Sequence, residues 1–310
     1  MKEIFSGLEK LGFKEIEITD IYVNDKNDKG NSKHNNISTE QKPLTYLTSV
    51  TCPVCGNNFK EKAVKTGVFR IASKDTDFFI RYEIINPYFY DVWVCNKCGY
   101  SALKIDFLKI REAEIALVKE KISPKFKCKE YPEAYDVNIA IERYKMALIN
   151  AVYTESKASK KAMICLKLAW MYRLLADDNS KEMERTFMKE ALKGFDQAYM
   201  KENFPIYGMD SYVTMYLIGE LNRRLSNYSV ALSWFSKLIT SRGVKSNLKE
   251  LARTQKDLIK EELLLMKKVE VNSELLNSEN IDIESPIDNS NTKTPNENKK
   301  SVFNIFKKTN

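Results

Sequence analysis

Apolar side chains recur along this chain at different intervals, and each interval predicts a different kind of structure. Near the N-terminus Ile4, Phe5, Leu8 and Leu11 fall at helical spacing, and a strand-like segment follows from Glu15 to Val23. Residues 24–44 are polar and nearly free of apolar side chains. Such a composition cannot repay the entropy of ordering, so a flexible linker is expected there. From Leu44 to Tyr100 the pattern turns β-like. Tyr46 to Thr51, Ala63 to Ile71 and Phe78 to Ile85 are rich in β-branched and aromatic residues; Asn86-Pro87 marks a turn; Tyr90, Val92 and Val94 alternate.

Beyond Cys98 the helical period takes over. A helix over 102–121 would place Leu103, Phe107 and Ile110 on one face. After Pro124 and Pro132, further helices are expected near 136–153, 158–176, 181–201, 209–225, 228–241 and 247–268, the last capped by Asn247 with Glu250. Residues 270–300, rich in Asn, Ser and Glu with Pro286 and Pro295, are expected to be disordered. The end of the chain carries Val302, Phe303, Ile305 and Phe306 beside lysines, a pattern suited to docking on a partner or a membrane surface, or simply a disordered end. The organisation is therefore an N-terminal segment 1–23, the linker 24–44, a β-rich unit with its following helix at 45–122, a helical domain at 123–268 and a tail at 269–310. The fold class is α+β.

Length and charge narrow the picture. The 310 residues suffice for one large or two smaller domains without disulfides. No apolar run is long enough to cross a bilayer, and Met1 to Gly7 lacks the apolar core of a signal peptide, so a cytoplasmic protein is expected, with its thiols reduced. The net charge of +8 invites nucleic acid as a partner, but 42 acidic residues lie among the 50 basic ones and alternate with them along the helices. A mixed-charge surface is favoured over a nucleic-acid footprint.

The chemistry is concentrated in two motifs. Cys52-Pro53-Val54-Cys55-Gly56 and Cys95-Asn96-Lys97-Cys98-Gly99 are paired Cys-x-x-Cys turns, each followed by glycine. Together they supply the four thiolates of a tetrahedral zinc ion, and the glycines let the backbone fold beneath the metal. One structural zinc is expected on Cys52, Cys55, Cys95 and Cys98, with rubredoxin-like iron or a redox dithiol as alternatives. Strands feeding two such knuckles make a zinc-ribbon-like unit. Four thiolates leave no open position for metal catalysis.

Other candidates carry less. Cys165 belongs to an apolar helix face, Cys128 to a charged loop, and the single histidine, His34, to the polar linker, where no scaffold would hold it for catalysis. Asp75-Thr76-Asp77 with Arg81, Tyr82 and Asn86-Pro87-Tyr88 could bind a cation or polar ligand, or serve an enzyme at the domain junction. A turn capped by Asp75 with surface charge pairing is favoured.

The helices also repeat. Ala140-x-x-x-Tyr144-x-x-Ala147, Ala191-x-x-x-Phe195-x-x-Ala198 and Ala231-x-x-x-Phe235-x-x-Leu238 share one pattern, and Leu168-Ala169-x-x-Tyr172 and Ile218-Gly219-x-x-Asn222 precede the last two. This resembles tetratricopeptide repeats, whose stacked helix pairs usually bind proteins or peptides. Tyr172, Tyr199, Tyr212, Tyr216 and Asn222 could face such a groove, although most of these aromatics suit a core. The two knuckles, Asp75-x-Asp77, Tyr82, Asn86-Pro87-x-x-Tyr90 and the Tyr100-Ser101 that follows Cys98-Gly99 resemble a bacterial family known as domain of unknown function 2225. That resemblance runs from about Val50 to about residue 240 and implies a bacterial cytoplasmic protein with a metal-binding domain joined to tetratricopeptide-like helices. It brings no established activity.

The expectation is a non-enzymatic zinc-binding scaffold that binds a protein partner through its helices. The first alternative is a nucleic-acid-binding zinc ribbon using Lys60, Lys62, Lys65, Arg70 and Lys74; an enzyme at the domain junction is the second.

Overall fold

A computed structural model of the protein describes residues 2–13, 20–22 and 44–279. The chain divides into two units, Met1–Lys260 and Glu261–Asn310, and the core and site described below belong to the first. The 24–43 part of the expected linker and the 280–310 part of the tail, including its apolar-basic end, lie outside the described residues. Of the Glu15–Val23 segment only 20–22 are described, and they form a bend rather than a strand.

Three small antiparallel hairpins come first. β1 (Thr45–Thr51) pairs with β2 (Asn58–Val64) from Thr45↔Val64 to Thr51↔Asn58. β3 (Ile71–Lys74) pairs with β4 (Ile80–Tyr82) across a bulge between Ile71 and Ser73. β5 (Val92–Val94) pairs with β6 (Ser101–Leu103) in the register Trp93↔Ala102. Among the described residues each sheet has two strands and none joins another. A lone two-stranded hairpin is marginal in water, so each needs something to lean on.

That support is helical. α1 (Glu112–Leu117) continues into a wider π turn at Val118–Ile122. Then come α2 (Val137–Tyr153), α3 (Ala158–Leu175), α4 (Asp178–Lys201), α5 (Ser211–Arg224), α6 (Tyr228–Thr240) and α7 (Ser246–Glu279). Aspartates begin three of them: Asp136, Asp177 and Asp210 each accept a first-turn amide, from Ile139, Ser180 and Val213. α2 is the hub. It packs on β5, β6 and α3, α3 packs on α4, α4 on α5, and α5 on α6. One contiguous apolar core runs from Ile4, Phe5, Leu8 and Leu11 through Val92, Val94, Tyr100 and Phe107 to Leu217 and Leu221.

Several expectations shift. The strand expected over Ala63–Ile71 instead spans Asn58–Val64, because Gly67, with φ of +83°, turns the chain. Asn58–Lys62 reads as polar because its buried inward position is Glu61. Val92 to Val94 do not alternate, since all three are buried. The single helix expected over 102–121 does not form: Ser101–Leu103 returns as β6 to pair with β5, a 3-10 turn follows at Phe107–Lys109, and an α-helix begins only at Glu112, where Glu114 accepts from the Arg111 backbone amide. α7 starts at Ser246, so Asn247 lies inside its first turn rather than capping it.

Candidate metal centre

Each Cys-x-x-Cys turn is the tip of a hairpin. β1 enters the first and β2 leaves it; β5 enters the second and β6 leaves it. The two tips are built alike. Cys52 N donates to Asn57 O at 2.9 Å and Gly56 N to Cys52 O at 2.9 Å; Cys95 N donates to Tyr100 O at 2.9 Å and Gly99 N to Cys95 O at 2.8 Å. Gly56 and Gly99 take φ of +69° and +75°, a left-handed conformation that side chains oppose. At Gly99 space is also lacking, because a Cβ would lie 2.5 Å from the Phe126 ring.

The hairpins bring the four thiols together. All four Sγ atoms lie within 4.8 Å of one another, with Cys52 and Cys98 3.6 Å apart and Cys55 and Cys95 3.7 Å apart. Sulfurs held about 2.3 Å from a central zinc ion would be separated by about 3.8 Å, so this cluster could hold a metal ion. Cys52, Cys95 and Cys98 are buried and Cys55 is half-buried. Thiols this close titrate as a group. Hydrogen bonds from Cys52 and Cys98 pull Cys95 down to about 2, whereas the contact with Cys95 pushes Cys52 up to about 12 and that with Cys52 pushes Cys98 well above the usual thiol range. Four negative sulfurs cannot share this space alone; a divalent cation at their centre removes the conflict.

The tips are tied to the helices. Ser123 Oγ donates to Cys98 O at 2.9 Å, and Asn150 of α2 donates from Nδ2 to Gly99 O at 3.1 Å. Beside them lies a buried ion pair that sequence reasoning missed. Arg143 of α2 donates through Nη2 to both oxygens of Glu61, at 2.8 and 2.9 Å, and to Val92 O at 2.6 Å, while Val94 N donates to Glu61 Oε1 at 2.9 Å. Tyr131 and Tyr135 cover the guanidinium with ring centroids 5.1 and 4.8 Å away. One pair thus joins β2, β5 and α2. The available signal was Arg143, charged on the same helix as the packing residues Ala140, Tyr144 and Ala147.

Residues 45–259, most of the chain and both knuckles included, match the family model described as "Uncharacterized protein conserved in bacteria (DUF2225)". The chain belongs to this family. No curated protein and no solved structure matches it. The four cysteines and the Glu61–Arg143 pair fall inside the DUF2225 span, while the N-terminal segment that packs against α2 and α4 precedes it.

Asp75, Asp77 and Arg81 are brought together at graded depth: Arg81 reaches solvent, Asp75 is half-buried and Asp77 lies inside. The Asp75–Phe79 turn carries Phe78 at φ +71°. Asp77 is wholly buried and accepts from Arg173 Nη2 at 2.7 Å, Arg173 Nη1 at 3.1 Å and Trp170 Nε1 at 3.1 Å. Asp75 accepts from Arg81 Nε at 3.0 Å and Arg173 Nη1 at 2.8 Å, and Arg173 Nε reaches Glu184 at 2.6 Å. Thr76 donates to Glu220 at 2.5 Å, and Glu220 accepts from Arg223 and Arg224. Burial alone would raise the Asp75 and Asp77 pKa values; hydrogen bonds and charge, from Arg81 and Arg173 for Asp75 and chiefly from Arg173 for Asp77, overcome it and hold both carboxyls below their usual value. The Asp75–Arg81 pairing expected from sequence is therefore the outer edge of a network that continues inward through Asp77 and Arg173 and pins the β3–β4 turn to α3, α4 and α5. Glu220, a charge inside the apolar run Met215–Leu221, was its legible sign.

The remaining candidates do not join the centre. Cys165 is buried in α3 and Cys128 is exposed, while His34 lies outside the described residues. Tyr172, Tyr216 and Asn222 are buried; Tyr199 and Tyr212 are partly exposed. Among the described residues no helix is long and apolar enough to cross a membrane.

Proposed function

We propose that Cys52, Cys55, Cys95 and Cys98 hold one structural zinc ion and that the protein is a non-enzymatic cytoplasmic scaffold whose helices bind a protein partner. The observation that carries this is the closure of the thiol set between two hairpin tips, with Sγ separations of 3.6 and 3.7 Å that suit a four-thiolate tetrahedron. Such an ion has no open position for substrate, so its task is to lock the hairpins together. Reduced thiols fit the cytoplasm.

The scaffold part draws on how the helices pair. Ala191, Phe195 and Ala198 of α4 and Ala231, Phe235 and Leu238 of α6 are all buried, and Gly219 lets α5 approach Phe235 so closely that a Cβ would lie 2.8 Å from its ring. This small-against-aromatic packing supports tetratricopeptide-like pairs. Ion pairing of Asp75 and Asp77 supports a structural role for them. Two of the five basic residues near the knuckles are engaged within the molecule. Lys62 donates to Pro132 O at 2.6 Å and lies over Tyr135, and Lys74 lies over Phe78. That favours a protein partner over nucleic acid.

Metal analysis of the purified protein should find one zinc per chain, absent after Cys52→Ser with Cys95→Ser. Iron in its place, or metal retained by the double variant, would refute the zinc assignment. For the scaffold, proteins captured from native lysate are purified and mixed with the intact chain. A 1:1 complex that needs the helices is expected. Failure of every captured protein to form a binary complex, or salt-sensitive retention on nucleic acid instead, would overturn that part.

A further inference from the structure

Just beyond the β5–β6 hairpin, three segments meet around a cleft of 570 Å³, within the size range of about 300–1,000 Å³ usual for small-molecule sites. The segments are the stretch from β6 into α1, the start of α3, and the loop after α4.

Its charged groups are divided by what they touch. The carboxylates already have protein donors. Asp106 accepts from Tyr207 OH at 2.5 Å, Glu202 from Ser159 N at 2.9 Å and Ser159 Oγ at 2.6 Å, and Glu114 from Arg111 N at 2.8 Å and Arg111 Nη2 at 3.2 Å. Lys109, Lys157 and Lys160 also line the cleft, and among the described residues their ammonium groups make no hydrogen bond or ion-pair contact. Lys109 and Lys157 are exposed, but Lys160 is half-buried. An ammonium carries three donors, and one removed from bulk water without an acceptor is costly. Burial, with a smaller push from Arg111, lowers the Lys160 pKa against the opposing pull of Asp106 and Glu114.

We propose that this cleft binds the phosphate group of a small phosphorylated molecule, with Lys160 at its floor and Lys109 and Lys157 at its rim. Lysine suits phosphate as a point charge, and three of them match a multivalent oxyanion. Asp106 and Glu202 keep free lone pairs, and Asn203 adds an amide, so hydroxyl groups of the same ligand have acceptors. Ile105 and Pro205 supply apolar wall. The site is independent of the thiol cluster and of any partner of the helices.

The test is isothermal titration calorimetry on the full chain at low ionic strength, with ribose 5-phosphate, inorganic phosphate and ribose as probes. One ribose 5-phosphate should bind per chain and ribose should not. Lys160→Gln should weaken binding tenfold or more, Lys160→Arg should retain most of it, and Lys245→Gln, an exposed lysine elsewhere, should change nothing. Inorganic phosphate binding as tightly as ribose 5-phosphate, and equally lost in Lys160→Gln, would support the phosphate site and identify its source as free phosphate; weaker binding would identify an organic phosphate. If Lys160→Gln fails to fold, the exposed pair Lys109→Gln with Lys157→Gln should give the same loss. No binding of either phosphate probe, unchanged binding in these variants, or an equal loss in Lys245→Gln would overturn the proposal.

Discussion

The first two hairpins and the helical region of the first unit are held in opposite ways, while β5 and β6 are buried throughout and share the core of the helices. α2 buries 12 of its 17 residues, and the helices around it share one apolar core. β3, by contrast, buries none of its four residues, β1 buries only Val50, and β2 buries only Glu61 and Ala63. Thin sheets with little apolar burial cannot repay their own ordering. They are fixed at points instead: the thiol cluster at the tips of two hairpins, Glu61–Arg143 between β2 and α2, and the Asp75–Asp77 network under the β3–β4 hairpin. Where burial is broad, stability is spread over many side chains; where it is thin, a few polar contacts each carry a large share.

The sharpest way to break this contrast is to disrupt the thiol cluster and, with it, the proposed zinc ion. Structural zinc contributes on the order of 10 kcal/mol to the folding of small zinc domains. Chelation, or Cys52→Ser with Cys95→Ser, should abolish the near-ultraviolet circular dichroism of Trp93 and its neighbours while most far-ultraviolet helical signal remains. Full retention of the thermal midpoint would show that the hairpins need no metal. Next, Arg143→Met leaves Glu61 buried without its partner and should cost about 3–5 kcal/mol in urea unfolding. A cost below about 1 kcal/mol would mean that the pair is not an anchor.

Asp77→Asn should cost somewhat less, about 2–3 kcal/mol, because Arg173 keeps Asp75 and Glu184. The pH dependence has a definite sign. Both aspartates have folded pKa values below the unfolded value of about 3.9, so their contribution is complete above that pH and is lost as pH falls through the lower folded values. The stability gap between wild type and Asp77→Asn should stay constant from pH 7 to about 4 and narrow below it. A gap that already narrows near pH 6 would contradict the depressed pKa. Within the helices, Gly219→Ala meets the Phe235 ring at 2.8 Å and should cost about 1–3 kcal/mol by overpacking. Smallest of all, Lys181→Ala removes an exposed pair with Asp178 and should leave the urea midpoint unchanged.

Legibility followed the same divide. α2, α3 and α6 lie within about one residue of their expected bounds, because a broad apolar face writes its period into the sequence. The two knuckles were legible as motifs, since metal ligation demands fixed residue types at fixed spacing. β2 and β6 were not. β2 turns a glutamate inward, and β6 is three residues long and continues into a segment with helical spacing. Asp75 and Asp77 could be singled out, but their partners Arg173 and Arg224 lie about a hundred residues and more away in sequence, and local pattern holds no information at that range.

By itself, then, the sequence determined the helical framework and the two paired-cysteine turns, because these depend on period and spacing within a few residues. Only the tertiary structure decided that the knuckles converge, that Glu61 meets Arg143, and that the Asp75–Asp77 turn is buried under arginines rather than open to solvent. Charge pairing is a matter of distance in space, and a buried charge is tolerable only once the fold has brought its partner to it.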